Sequence, residues 1–248
     1  MRLSSHQQLS MKLSIVIPAF NEEKCLPGTL KRVSEALTSV KCDSEIIVVD
    51  NQSIDKTGEI AKNSGAMVVF EIEHNIGKVR NTGAKTANGD LLVFVDADTQ
   101  VPQKLFQKIV ETMADEKCFG GAVSVEYKNF ERKWMRFYLL GWHFWSAIFN
   151  MKQGAAQFCR KDAFFKLGGY DESFYMGEDV EFYWRLSKLA KQNGGYLNFI
   201  ENPKVITSSR RFDKMSVWKT LVLTNPLFFL FTTKKKSFWR DWYDKPIR

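Results

Sequence analysis

The sequence predicts an α/β protein with a mostly parallel central sheet flanked by helices, followed by an apolar and basic C-terminal extension. Three observations predict it. Short apolar, β-branched runs recur through the first hundred residues, stretches with helical spacing separate them, and each run ends in a polar or acidic loop. Strand, helix, strand and helix in succession imply parallel strands joined by right-handed crossovers.

The runs LSIVIP (13–18), EIIVVD (45–50), AMVVFEI (66–72) and LLVFVDAD (91–98) suit strands buried on both faces, because they are continuously apolar rather than alternating. Helical character lies between them, over Glu22 to Ser39, Lys56 to Ser64 and Lys78 to Ala87. In the first stretch Leu26, Leu30, Val33 and Leu37 fall on one face. FGGAVSVEYKN (119–129) reads as a longer strand. In WMRFYLLGWHFWSAIF (134–149), Trp134, Phe137, Tyr138, Gly141, Trp142 and Trp145 recur at helical spacing. That stretch falls short of the roughly 20 residues a bilayer requires and contains Arg136 and His143, so an amphipathic or core helix is expected. Glu178 to Leu189 reads as a helix opened by acidic residues, which favour its macrodipole.

With 248 residues the chain can bury a sizeable core. Lys plus Arg number 36 against 28 Asp plus Glu, but Lys204 to Arg248 hold 11 basic and 3 acidic side chains, which is the whole excess of +8. The basicity is local. Cys25, Cys42, Cys118 and Cys159 show no paired spacing, which suggests neither a zinc site nor a disulfide framework and fits a reducing compartment. MRLSSHQQLS lacks the apolar core of a signal peptide, so residues 1–11 are expected to be a loose tail and the protein cytoplasmic.

In parallel sheets ligands gather at the carboxyl ends of the strands. There the sequence places PAFNEE, DNQSIDKT, HNIGKVRNTG and DADTQVP, four loops that describe one site. Asp96 and Asp98 share this rim with Asp50, Asp55 and Glu22, and mutual repulsion disfavours charging them all unless a cation or hydrogen-bond donors compensate. A hard divalent ion held by carboxylate oxygens, with phosphate oxygens completing its shell, resolves the conflict; Mg2+ or Mn2+ is expected.

The ordered set IVIPAFNEE, VVDNQSIDKT, NIGKVRNTGA, GDLLVFVDADTQVP and GGYDESFYMGEDVEFYWRL resembles the inverting glycosyltransferases of family 2, with the Rossmann-like GT-A fold, over roughly residues 12 to 210. The resemblance implies an enzyme that transfers a sugar from a UDP- or GDP-linked donor with inversion at the anomeric carbon. It implies a catalytic domain over 12–215, with a nucleotide-binding half (12–102) and an acceptor-binding half (103–215), before the 216–248 extension. Pro18, Ala19, Asn21 and Glu22 would border the base and ribose. Asp50 would contact the base, with Ser53 and Asp55 shaping its loop. Asn75, Gly77, Arg80 and Asn81 would close over the base and phosphates. Within Asp96-Ala97-Asp98, Asp96 would reach the ribose or the metal's water and Asp98 would ligate the metal.

The resemblance also implies that Asp179, beside Glu178, takes the proton from the acceptor hydroxyl. Direct displacement needs a base opposite the leaving group, hence on a different loop from the metal. Gly154, Ala155, Ala156 and Gln157 would line the sugar and acceptor cleft. Many GT-A enzymes complete the metal shell with a histidine after the base helix, where this chain reads Thr207-Ser208-Ser209-Arg210-Arg211. Arg210 and Arg211 could instead neutralise the departing diphosphate. The QxxRW signature of processive members and their membrane spans are absent, so transfer of a single sugar is expected.

From Ser216 the chain reads SVWKTLVLTNPLFFLFTTKKKSFWRDWYDKPIR. It suits either a membrane interface, with aromatics among headgroups and Lys or Arg on anionic lipid, or a helix packed on the catalytic domain. In the first case the acceptor would be lipid-linked or membrane-bound. Two rival functions are weaker. A nucleotidylyltransferase would carry a Gly-rich basic loop where PAFNEE stands, and nucleic-acid binding is disfavoured by the acidic rim and the confinement of charge to the last 45 residues.

Overall fold

The computed structural model describes residues 11–128, 155–208, 233–235 and 237–239. The strands are β1 (Leu13–Ala19), β2 (Ser44–Asp50), β3 (Met67–Phe70), β4 (Leu91–Val95), β5 (Cys118–Lys128), β6 (Ala156–Arg160) and β7 (Tyr196–Ser208). The helices are α1 (Leu26–Leu37), α2 (Thr57–Asn63), α3 (Ile76–Thr86), α4 (Leu105–Met113), α5 (Lys161–Lys166) and α6 (Glu178–Gln192). Outside these residues fall residues 1–10 of the tail expected over 1–11, the helix expected over 134–149, Gly154, Arg210, Arg211 and most of the 216–248 extension. Met11, expected in that tail, packs against the core.

One seven-stranded sheet runs in the order β3-β2-β1-β4-β6-β5-β7. β1 pairs in parallel with β2 and β4, β2 with β3, and β5 with β7. β6 alone runs against its neighbours β4 and β5. The mostly parallel sheet expected from the apolar runs is therefore present.

Every residue of β1 is buried because both faces of the strand meet helices. Leu13, Ile15, Ile17 and Ala19 join a core with Leu26, Leu30 and Val33 of α1 and Phe106 and Ile109 of α4. Val16, pointing the other way, joins Val79 and Ala84 of α3 and Phe182 and Leu186 of α6. Complete burial of a side chain such as Phe106 contributes about 2 to 3 kcal/mol relative to exposure. Helix α3 lies flush on the sheet: a Cβ on Gly83 would sit 2.4 Å from Val16 Cγ1 and 2.8 Å from Val49 Cγ2. That close approach brings the N-terminal half of α3 to the carboxyl ends of the strands.

β7 returns to those same ends. Gln100 and Ile206 exchange backbone hydrogen bonds of 2.7 and 3.1 Å, which fastens the end of β7 to the turn after β4. All four cysteines are free. Among the described residues no helix is long and apolar enough to cross a membrane.

Candidate active site

The sheet extends from β1 through β2 to β3 on one side and through β4 on the other, which places a topological switch point, the usual ligand crevice, between β1 and β4. The loops after β1 and β2 are laced together there. Asn21, at a φ of 53°, receives its strain relief from two bonds: its N–H donates to Ser53 Oγ at 3.0 Å and its Oδ1 accepts from Ile54 N at 2.9 Å. Glu22 N donates to Thr57 Oγ1 at 2.8 Å, and Asn51 N donates to Ala19 O at 2.9 Å. Asp50 is buried and accepts from Ser53 N at 2.9 Å. Asp55 accepts from the backbone of Glu23 and Thr57. Pro18 and Ala19 are buried within β1 itself.

The turn after β4 holds Asp96 and Asp98, both half-buried, on either side of buried Ala97. Thr29 Oγ1 donates to Ala97 O at 2.7 Å and Thr99 N donates to Asp96 O at 3.0 Å, so the turn is held from α1 and from within. Thr207 of β7 donates to Asp98 Oδ1 at 3.2 Å. The strand position at which the histidine was expected thus lies next to Asp98. Among the described residues no group of three or more His, Cys, Asp or Glu is arranged to hold a metal.

Arg80 connects this turn to the second half of the chain. Its Nη2 donates to Asp96 Oδ1 at 2.9 Å and its Nη1 donates to Glu178 Oε1, while the guanidinium lies 5.4 Å from the Tyr170 ring centre. Arg80 and Glu178 are both nearly inaccessible, and Arg80 Nε is buried without a partner among the described residues. Burial opposes the charge on Arg80, but Asp96 and Glu178 outweigh it and raise the guanidinium above its ordinary value. Burial pushes the Glu178 carboxyl up against the pull of Arg80, and neighbouring Asp179 adds to the rise. Burial likewise holds the Tyr170 phenol well above its usual range.

The other residues expected from α3 also reach across. Asn75 caps α3 by accepting from Lys78 N at 2.9 Å and donates to Glu172 O at 2.7 Å and Phe174 O at 3.2 Å. Asn81 donates to Tyr170 O and Glu172 Oε1 and accepts from Tyr170 N, each at 2.9 Å. Gly77 packs beneath the same loop, where a Cβ would lie 3.4 Å from that of Tyr170. Ala155 and Ala156 are buried, and Gln157 in β6 donates to Asp179 O at 3.0 Å and accepts from Tyr170 Oη at 3.2 Å. Asp179 itself is half-buried at the first turn of α6, its Oδ1 accepting from Val180 N at 2.8 Å.

The structure therefore brings Asp50, Asp96, Asp98, Glu178 and Asp179 to one end of the sheet. The sequence reading missed the connecting roles of Tyr170, Glu172 and Thr207, and the rim residues Asn51 and His74. Their signal was proximity in sequence to residues already singled out.

The family model described as Glycosyl transferase family 2 matches residues 14–168. The 4,4'-diaponeurosporenoate glycosyltransferase of Staphylococcus haemolyticus is 34% identical over 137 residues, covering 50% of this chain and 35% of that protein. The undecaprenyl-phosphate 4-deoxy-4-formamido-L-arabinose transferase of Aeromonas hydrophila is 34% identical over 131 residues, covering 50% and 39%. The chain thus spans little more than a third of the length of these relatives. Staphylococcus aureus TarS, solved with UDP-GlcNAc, superposes with a TM-score of 0.61 at 17% identity, over 80% of this chain and 58% of that one. The mannosyltransferase PcManGT of Pyrobaculum calidifontis, solved with GDP-Man and Mn2+, gives 0.58 at 19% identity, over 79% and 56%. These superpositions bear out the GT-A fold, and with the family model spanning more than half of its residues, β1 through α5 included, the chain belongs to glycosyl transferase family 2.

Proposed function

We propose that the chain is an inverting glycosyltransferase that moves a single sugar from a UDP- or GDP-linked donor to an acceptor hydroxyl. The observation that carries this reading is the bridge of Arg80 between Asp96, at the end of β4, and Glu178, at the start of α6. It sets carboxylates from different halves of the chain at one end of the sheet, so that a base on α6 and a cation ligand after β4 could serve opposite sides of one sugar carbon. The names of the relatives, all transferases of glycosyl groups, point the same way.

In this reading the acceptor oxygen forms a bond to the anomeric carbon as the bond from that carbon to the diphosphate oxygen breaks. Asp179 takes the hydroxyl proton, and the electron pair leaves with the nucleoside diphosphate. Gln157 holds the backbone of Asp179 in place. Glu178, buried on Arg80, positions the guanidinium rather than exchanging protons with the acceptor. Asp98 and the Thr207 hydroxyl form an all-oxygen donor pair that suits Mn2+ or Mg2+, and Asp98 would hold such an ion. When bound, the cation neutralises charge on the diphosphate; Asp96, with one oxygen on Arg80, would serve the ribose or complete the shell. Arg210 and Arg211 are proposed to share in that neutralisation.

The acceptor is proposed to be lipid-linked, with the extension meeting an anionic membrane at its cytoplasmic face through residues other than the stretch packed on the domain. In that stretch Tyr175 N donates to Thr233 O at 2.7 Å, Lys234 pairs with Asp171 at 3.4 Å and Trp239 is buried. The chemistry named for the undecaprenyl-phosphate and dolichol-phosphate transferases supports this. Loss of sedimentation with anionic liposomes on deleting 216–248 is the expected result; equal sedimentation would assign the segment to packing.

The donor is found by thermal shift with a panel of UDP- and GDP-sugars in Mn2+. A donor at a hundred times its Kd should stabilise the protein by about 2.7 kcal/mol, which raises Tm by roughly 5 to 10 °C. If no nucleotide sugar moves Tm, with or without the cation, the reading fails.

A further inference from the structure

His74 stands at the rim where the loops after β1, β2 and β3 meet, and no part of the reaction described above uses it. Its ring lies 4.7 Å from that of half-buried Phe20, inclined at 61°. Its Nδ1 is 3.1 Å from Asn51 Oδ1. The orientation of that amide is set by its other end, since Asn51 Nδ2 donates to Glu71 O at 2.7 Å and Glu73 O at 2.9 Å. A flipped amide would press its oxygen against two carbonyls. The turn that supplies those carbonyls is itself held, with Glu71 accepting from Glu73 N at 2.9 Å and from Thr82 Oγ1 at 2.7 Å.

An amide oxygen facing Nδ1 requires Nδ1 to carry the proton. In the neutral imidazole Nε2 is then an acceptor with a lone pair directed away from Asn51. His74 makes no other hydrogen bond among the described residues, and its side chain is partly exposed. The chain has thus built an oriented acceptor beside an aromatic ring, after β3, which β2 and β1 separate in the sheet from β4 and the turn that holds Asp96 and Asp98. If the diphosphate lies at the end of β4, the nucleobase reaches the ends of β1, β2 and β3.

We propose that His74 Nε2 is a base-reading group of this chain, accepting a hydrogen bond from a nucleobase whose ring N–H lies beside a carbonyl, as in uracil N3–H or guanine N1–H. The inference rests on the nucleotide-sugar reading and extends it to a residue that selects the base. Cytosine presents a lone pair at the corresponding ring position, and two facing acceptors repel. Asn51 acts behind His74 as a positioning residue, fixing the tautomer.

Isothermal titration calorimetry of the full chain in Mn2+ tests this with UDP, GDP, CDP, N3-methyl-UDP and N1-methyl-GDP. The UDP and GDP arms decide which base supplies the N–H. The parent nucleotide that binds should bind about tenfold tighter than CDP or its own N-methyl form, from the loss of one hydrogen bond to a desolvated acceptor. His74→Phe should weaken the parent by a similar factor and leave the N-methyl form unchanged, and His74→Gln, whose amide oxygen can accept, should recover part of the loss. Equal affinities of parent and N-methyl nucleotide for the unaltered protein would overturn the proposal without recourse to any variant. Undiminished parent binding by folded His74→Phe would overturn it while leaving the transferase reading intact. Failure of the unaltered protein to bind either UDP or GDP would overturn both readings.

Discussion

Arg80 and Glu178, 98 positions apart in the chain, form a buried ion pair that joins α3 to the first residue of α6. Removing one partner leaves the other charge buried and uncompensated, which costs about 3 to 5 kcal/mol. Arg80→Ala should therefore lower Tm by about 10 °C, given roughly 2 to 4 °C per kcal/mol for a chain of this size. Arg80→Lys cannot reach Asp96 and Glu178 with a planar fork, so it should rescue little. Thermal melts check both; a shift below about 2 °C for Arg80→Ala, well under the range that penalty implies, would show that the pair carries little net stability.

Asp179 sits next to Glu178 but is held differently, with its carboxylate only half-buried and its backbone fixed by Gln157. Asp179→Asn keeps the shape and the bond from Val180 N while removing the proton acceptor. Turnover should fall by about 10² to 10⁴ with nucleotide-sugar affinity within about twofold of the starting value, since a general base acts on the transition state and not on donor binding. Calorimetry and turnover on the same preparation separate the two effects, and unchanged turnover would remove Asp179 from the reaction.

Asp98 makes the contrasting prediction. Its carboxylate, beside Thr207, is the proposed cation ligand, and a bound cation supplies several kcal/mol of charge stabilisation. Asp98→Asn should weaken nucleoside diphosphate binding in Mn2+ by about 100-fold and leave metal-free binding little altered. Titrations with and without Mn2+ test this, and a loss of equal size in both conditions would assign Asp98 to the nucleotide itself.

β1 and β4 were legible because a strand covered on both faces must be continuously apolar, and α1 because it repeats Leu26, Leu30 and Val33 on its buried face. β3 was legible only as a β-branched run, since at the sheet edge it leaves Met67 and Phe70 exposed where burial on both faces was expected. β6 was not. Its five residues, AQFCR, mix apolar and polar side chains, and only the antiparallel register with β4 and β5 makes them a strand. β7 was hidden similarly, its apolar residues broken by Glu201, Asn202 and Pro203. At the site, the acidic strand ends could be read from their position after apolar runs. That Asn75, Arg80 and Asn81 would grip the 170–178 segment could not, because it depends on how α3 crosses the sheet.

Gly169 shows how tightly that grip is made. Its φ is +75°, and a Cβ there would stand 2.5 Å from Asn81 Oδ1, the atom that accepts from Tyr170 N. Gly169→Ala combines left-handed strain with the loss of this bond and should cost about 2 to 3 kcal/mol. Urea denaturation measures the loss. Asn81→Ala at the same site should be destabilising by a similar amount, and the two changes should not add, because each disrupts the same contact.

The carboxylates outside the catalytic cluster predict how stability depends on pH. Burial tends to raise the carboxyl of Glu71, but hydrogen bonds from Glu73 N and Thr82 Oγ1 and the charge of Lys78 outweigh it, and the group is held below its ordinary value of 4.5. Glu45 is lowered in the same way, burial being outweighed by Ser14 Oγ at 2.5 Å and Asn88 N at 2.6 Å. A carboxyl whose folded value is depressed stabilises the fold fully above its ordinary value and loses that contribution as pH falls through the folded one. Stability should therefore be level in these groups near neutrality and decline below about pH 4.5. Thr82→Val and Ser14→Ala each remove a donor to one carboxylate, so each should lower stability at pH 7 by about 1 kcal/mol and flatten the acid decline. Urea midpoints between neutral and acid pH check the slope; a decline as steep in both variants as in the unaltered chain would place the acid sensitivity elsewhere.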